Sequence, residues 1–482
     1  MAPEQSARPK GYRRNIPCAE IAYDTRLEHA WFYVGSASDS TSANQELEQH
    51  HNPAVDRSYL TEAALDNLSK HTHPQNVDQT SKNDGGFLVA TLVPETISPN
   101  FITLLGAVHC LVAFVVTWSH LPNTLYFTAD NSGTNVQTVP LYVYFTQAYC
   151  LLAYHIGDRL DGAQARRTGY TTPLGRFLDH AMDSLALQCL ILPTLQLLVR
   201  WEPPVFASIQ AAVLLTNFGR HYWQEYYNRV VPVERLWATL VFVGLALIVL
   251  LHALRLETTT RQFVYQANVY PLLPVALQGW IRRNQQVLQS LVVGRGAVSA
   301  HAFPVSACLA ALVMLICFSV LATTLYRVLT KLTGLQALSA LSKMAAMVVI
   351  AMCPVMFFAQ HSLQQLEAES MAHVPLWNSL VWQGAKWVYL LIGLPAMTMM
   401  WKMTLFSMGR QSFPLIQPEL AGTLAALYWI ETEEYLTLGA AISMLKLVAA
   451  AQALYAFWWI RNALRKIGKH CNLTLLEPPP TS

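Results

Sequence analysis

The chain has 482 residues, of which 53% are hydrophobic and only 13% charged, with a formal net charge of +3. Soluble domains carry about 25% charged residues, so this composition excludes an ordinary soluble domain and points into a bilayer. Such a small net charge, with no basic run interleaved with aromatics, gives no reason to expect a nucleic-acid partner.

About 95 mostly polar residues precede the first long apolar stretch. No basic segment followed by an apolar one opens the chain, so a cleavable signal peptide is not expected. Residues 1–52 read as a disordered extension, too polar to offset the entropy of ordering. Residues 53–98 form a second, cytosolic segment in which "RSYLTEAALDNLSKHT" places Tyr59, Leu60, Ala63, Leu65 and Leu68 at helical spacing. That helix lies on the membrane face or is an ordinary surface helix.

Apolar stretches of roughly 18 to 25 residues, the length that crosses ~30 Å of hydrocarbon, then recur along the chain. About ten are expected, near 100–120, 140–160, 181–200, 205–227, 234–254, 303–326, 338–361, 382–404, 416–430 and 436–461. The fold class is therefore an all-α integral membrane bundle. Residues 99–230 carry the first four of these spans, 231–461 the remaining ones, and 462–482 a basic tail. "RNALRKIGKH" places that tail in the cytosol, which with ten spans puts both termini there. The loop 255–302 is then lumenal despite Arg255, Arg261, Arg282, Arg283 and Arg295, and the sequons at Asn67 and Asn472 are cytosolic. Six of the eight cysteines lie in or beside apolar spans without zinc spacing, and read as small buried hydrophobes.

Between the second and third spans stands "DRLDGAQARRTGYTTPLGRFLDHAMDS", with four aspartates and four arginines. Asp158 and Asp161 are three residues apart, Asp179 and Asp183 four apart, so each pair shares a helix face. The Gly and Pro of "ARRTGYTTPLG" suit a turn, and two antiparallel spans would bring the pairs together. Four carboxylates there repel unless a cation stands among them, and hard oxygen donors suit Mg²⁺ or Mn²⁺, here two ions. Such ions bind substrate phosphates as well. Gly162, Ala165 and Gly175 leave the helix surfaces low for a diphosphate, and Arg166, with Arg167 and Arg176 in reserve, offers a planar fork to its oxygens.

The order DxxDGxxAR, eight residues, then GxxxDxxxD resembles the signature of the CDP-alcohol phosphotransferase family at Asp158, Asp161, Gly162, Ala165, Arg166, Gly175, Asp179 and Asp183. "DGAQARRT", "PLG" and "DHAMDS" are similar to the eukaryotic choline and ethanolamine phosphotransferase branch, as are "SPNFITLLG" upstream, "HYWQEYY" downstream, and Lys402 and Arg410 late in the chain. Ala163 stands where that branch commonly has Lys, and residues 1–52 have no counterpart.

The resemblance implies transfer of phosphocholine or phosphoethanolamine from CDP-choline or CDP-ethanolamine to diacylglycerol, with release of CMP. It implies metal ligation by Asp158, Asp161, Asp179 and Asp183, nucleotide contacts from Asn100, Gly162, Ala165, Arg166 and Gly175, and Asp183 as general base. His180 is either a proton relay or a helix-face histidine bonded to a neighbour. His221, Glu225 and Lys402 are candidates for the lipid entrance, the first two alternatively sitting at the interface, with Trp223, Tyr226 and Tyr227 as an aromatic belt. A homodimer in the endoplasmic reticulum or Golgi, its site facing the cytosol, is implied by the resemblance alone. The rival expectations are a CDP-diacylglycerol enzyme using inositol or glycerol phosphate, a transporter, or a catalytically silent scaffold.

Overall fold

The computed structural model describes residues 93–125, 139–199, 201, 203–228, 235–253, 269–284, 305–368, 376–409, 413, 417–432 and 437–476. The expected extension, the amphipathic segment around Tyr59–Leu68, the sequon at Asn67 and Arg410 lie outside them. Every regular element among the described residues is helical.

In chain order these are α1 (Pro99–Leu125), α2 (Leu141–Thr168), α3 (Pro173–Ala186), α4 (Leu192–Val199), α5 (Pro203–Asn217), α6 (Gln224–Asn228), α7 (Arg235–Leu251), α8 (Val275–Arg283), α9 (Val305–Leu329), α10 (Gly334–Ala368), α11 (Leu376–Met408), α12 (Pro418–Thr432) and α13 (Leu438–Cys471). Single π-helical turns, Leu187–Ile191 and Phe218–Trp223, join α3 to α4 and α5 to α6.

Six helical stretches among the described residues are long and apolar enough to cross a membrane: Pro99–His120, Pro173–Val199, Val305–Leu329, Gly334–Met356, Gly384–Met408 and Gly439–Cys471. The other four expected spans are also helical, but α7 and α12 are shorter, α5 is interrupted by a π turn, and α2 ends in charge. The outer faces of α1, α2 and α9 expose Leu105, Val115, Phe145, Leu315 and Phe318, as suits helices whose solvent is lipid. α13 does not stop at the apolar boundary near residue 461: it runs on through Arg461–His470 and is closed by Asn472 in the left-handed conformation. A helix of 34 residues is about 51 Å long at 1.5 Å per residue, so its basic end projects beyond the hydrocarbon.

α11 is the most deeply buried of the six and packs against α3, α5, α10 and α13. Seven described cysteines, all free, are buried or half-buried. α1 packs along both α2 and α3, so it brings the charged ends of those two helices together.

The local chemistry of the turn is explicit. α2 ends at Gly169, whose φ of 65° is open to glycine without steric cost. Thr172 then caps α3 by accepting the Gly175 N–H at 3.0 Å, and Pro173 supplies the first helical φ. Just beyond Asp183, the π turn frees backbone carbonyls that neighbouring helices satisfy. Gln147 donates to Leu190 O at 3.1 Å and to Thr194 at 2.6 Å, while the Tyr389 hydroxyl donates to Gln188 O. Such bulges are frequent at functional sites because they re-aim the helix.

Candidate active site

Asp158 on α2 and Asp179 and Asp183 on α3 each direct a carboxylate oxygen into one group, all within 4.8 Å of one another. Asp183 is exposed although the stretch carrying it is apolar and largely buried. Its Oδ1 accepts the Tyr154 hydroxyl at 2.8 Å. Tyr154 is buried one helical turn before Asp158 and shares its face.

Asp161 is placed differently. It is buried, its Oδ2 accepts the hydroxyl of Thr103 on α1, and it does not belong to the convergent three. Three carboxylates from two helices within this distance, all hard oxygen donors, fit a small divalent cation such as Mg²⁺ or Mn²⁺. Asp161 stands behind them, fixed by α1.

The two glycines of the motif have unlike surroundings. A Cβ on Gly175 would lie 2.8 Å from Asn100 Oδ1 and 3.2 Å from Thr172 Oγ1, so the protein itself demands glycine there. Asn100 is held in turn by donating to Leu475 O at 3.0 Å, tying the start of α1 to the segment after α13. A Cβ on Gly162 would meet only Arg166 Nη1, at an ordinary 3.5 Å. Nothing in the fold requires glycine at 162, and the space beside it faces outward from the packing.

One prediction arises here. Gly175→Ala is expected to displace Asn100 and cost about 1 to 3 kcal/mol, read as a lower melting temperature in detergent. The double variant Gly175→Ala with Asn100→Ala should recover part of that loss, because the clash is then gone. Simple additivity of the two losses would show that Asn100 is not the obstacle.

The arginines separate by partner. Arg167 donates to Val93 O at 2.8 Å and pairs with Glu95 at 3.0 Å, while Gln164 donates to Pro94 O and Ile97 O, so both tether the segment before α1. Arg176 pairs with Glu225 at 2.6 Å. Arg166 is exposed at the end of α2 beside Gly162.

Glu225 and its neighbours depart from the sequence expectation. Glu225 is buried, with Arg176 on one carboxylate oxygen and no hydrogen-bond partner among the described residues for the other. Trp223, Tyr226 and Tyr227 are buried rather than arranged as an interfacial belt. Each polar tip meets a partner inside: Trp223 donates to Ala340 O at 3.0 Å, Tyr226 accepts the Phe413 N–H at 3.2 Å, and Tyr227 accepts from Lys343 at 3.0 Å. The reason is that α5, the π turn and α6 run between α9, α10 and α11, so no face is left for lipid headgroups. His221 is half-buried. Lys402 is buried too, directed at Gln417 Oε1 (3.4 Å) and over the Tyr455 ring, so neither Glu225 nor Lys402 stands on the outer surface.

His180 lies between these groups. Its own carbonyl accepts the Tyr222 hydroxyl at 3.0 Å, and its ring stands edge-on to Tyr222. From the other side, Trp401 donates to Ala181 O at 3.1 Å and Ser184 Oγ at 2.7 Å, clamping α3 to α11. Thr103, Tyr154, Trp401 and the Arg176–Glu225 pair were not singled out from the sequence. Tyr154 was within reach of it, being four residues before Asp158, and Thr103 lies inside the "SPNFITLLG" stretch.

Comparison with known proteins converges on the same region. Residues 96–275 match the family model of CDP-alcohol phosphatidyltransferase. An uncharacterized CDP-alcohol phosphatidyltransferase class-I family protein 3 of Dictyostelium discoideum is 28% identical over 253 residues, 48% of this chain and 57% of that protein. Cholinephosphotransferase 1 of Saccharomyces cerevisiae is 33% identical over 139 residues (29% of this chain, 32% of the yeast protein). The Gallus gallus protein of that name is 28% identical over 169 residues (35% and 47%). The matched region thus spans between about a third and just over half of these relatives. With the aspartate group, its glycines and Arg166 all inside the matched segment, the chain carries, over residues 96–275, a domain of the CDP-alcohol phosphatidyltransferase family.

Proposed function

We propose that this protein transfers phosphocholine or phosphoethanolamine from the corresponding CDP ester to the hydroxyl of diacylglycerol, releasing CMP. The convergence of Asp158, Asp179 and Asp183 within 4.8 Å, from two bundle helices, is the observation that carries this reading. Relatives named cholinephosphotransferase favour the choline and ethanolamine branch over a CDP-diacylglycerol substrate.

In this reading Asp158, Asp179 and Asp183 hold Mg²⁺ or Mn²⁺, and Asp161, held by Thr103, stands behind them. The metal, when bound, offsets negative charge on the diphosphate and on departing CMP. The open surface at Gly162 and Ala165 lets the diphosphate approach the α2 backbone, and Arg166 reads its oxygens through two parallel N–H donors. Asn100 braces the opening of α3 through its contact with Gly175 as well as standing near the nucleotide.

The lipid hydroxyl must lose a proton as it attacks. The sequence pointed to Asp183, but that carboxylate already accepts the Tyr154 hydroxyl and belongs to the group that would hold metal. His180, one residue after Asp179 and packed edge-on against Tyr222, is the acceptor that this reading assigns, because it is outside the group that would hold metal. Diacylglycerol comes from the bilayer and the CDP ester from water, so a site at a membrane boundary admits both. An endomembrane setting with a cytosolic site, and a homodimer, belong to this proposal.

Detergent-purified protein given diacylglycerol, Mg²⁺ or Mn²⁺, and CDP-choline or CDP-ethanolamine is expected to make phosphatidylcholine or phosphatidylethanolamine, and EDTA to stop it. Product only from CDP-diacylglycerol with inositol would overturn the substrate assignment while keeping the site. No product from either pair would return the silent scaffold.

A further inference from the structure

A second charged cluster lies at the other end of the bundle. Thr103 marks the aspartate end of α1, and Trp118 comes fifteen residues later. On α11, Trp401 touches α3 beside Asp183, and Lys386 comes fifteen residues earlier. Each separation is about 22 Å at 1.5 Å per residue, so both helices place the cluster near the opposite membrane boundary.

There Trp118 and Trp387 meet edge to face with ring centroids 5.7 Å apart. Lys386 Nζ stands 5.7 Å from the Trp118 centroid and 5.4 Å from that of Trp387. Lys446, from α13, stands 5.6 Å from the same Trp387 ring. An aromatic stack supports the pair: Phe114 lies 5.2 Å from Trp118, Tyr389 6.5 Å from Phe114, and Phe206 5.5 Å from Tyr389.

Two ammonium groups gathered on one indole repel each other, and a ring quadrupole attracts them without removing their charge. Among the described residues the ion pairs are Arg167–Glu95 and Arg176–Glu225, both at the aspartate end, and neither Lys386 nor Lys446 has a carboxylate partner. An anion from outside the described residues would offset this charge. At a bilayer boundary the abundant anion is a lipid phosphate, and an added negative charge on the headgroup strengthens its hold on two lysines. Next to the lysines the same helices expose apolar side chains, Val112 and Val115 on α1 and Leu447 and Leu454 on α13, along which acyl chains can lie.

We propose that Lys386, Lys446, Trp387 and Trp118 form a binding site for the phosphate of an anionic glycerophospholipid in the leaflet opposite the aspartate group. It lies apart from the proposed chemistry and does not depend on it. The indoles hold the two ammoniums apart in fixed positions, which turns a generic interfacial anchor into a site for one headgroup.

Native mass spectrometry of the detergent-purified full chain, titrated with phosphatidic acid, tests this. The wild type is expected to retain phosphatidic acid about tenfold or more tightly than Lys386→Gln/Lys446→Gln, and the double Arg variant to retain it like wild type. If the double Gln variant does not fold, each single Gln variant should bind about threefold more weakly. Equal binding by wild type and the Gln variants would sink the site. Wild type holding phosphatidylcholine as tightly as phosphatidic acid would also overturn it, as would displacement of the lipid by equimolar inorganic phosphate, which would make the ligand a free anion.

Discussion

Asp183→Asn is expected to lower turnover by at least about a thousandfold while leaving the fold and CDP-ester binding measurable. The amide keeps the carboxylate's shape, and its oxygen can still accept the Tyr154 hydroxyl that now lies 2.8 Å from Oδ1. What it removes is one negative charge from a group of three carboxylates within 4.8 Å, hence affinity for the divalent ion. Charge stabilisation by such an ion is worth several kcal/mol, and each 1.36 kcal/mol is tenfold in rate. The check is kcat across a Mg²⁺ titration, with the melting temperature as control. A metal requirement shifted to higher concentration identifies Asp183 as a ligand. Lost turnover with an unchanged metal requirement would instead give it the base role expected from the sequence. His180→Gln should do the converse, reducing turnover with the metal requirement intact.

The second large effect concerns stability. Arg176→Met is expected to destabilise the protein by about 3 kcal/mol, because it strands the buried Glu225 carboxylate, whose other oxygen has no hydrogen-bond partner among the described residues. The figure sits at the low end of the range for buried pairs, since the Arg176 side chain is half exposed and water screens it. Adding Glu225→Gln should restore much of the stability by removing the stranded charge. Thermal denaturation of the two variants decides the matter. A double variant no more stable than Arg176→Met would mean that the arginine acts through packing rather than charge.

The charged hairpin was legible because local rules govern it. Gly169, Thr172 and Pro173 stop one helix and start the next through backbone conformation and capping alone. Aspartates spaced three and four residues apart share helix faces whatever surrounds them. Apolar runs of spanning length announce membrane helices for the same reason, since inside hydrocarbon the backbone must bond to itself. The fate of "HYWQEYY" was not legible. A Trp, a Glu and three Tyr at the end of an apolar run have the composition of an interfacial belt, and also of a polar core seam.

By itself, then, the sequence determined a helical membrane protein, the hairpin, and the identity of the carboxylates that chemistry would need. Those properties depend on spacing, turn residues and hydropathy, which are all encoded within a few residues. Only the tertiary structure decided that Asp161 turns to Thr103 instead of joining the other three. It likewise decided that Gly175 makes room for Asn100, that Arg176 pairs with Glu225, and that two lysines share an indole at the far boundary. Each of these joins residues on different helices, and which helix faces meet is settled by packing across the whole bundle rather than by the local pattern on any one of them.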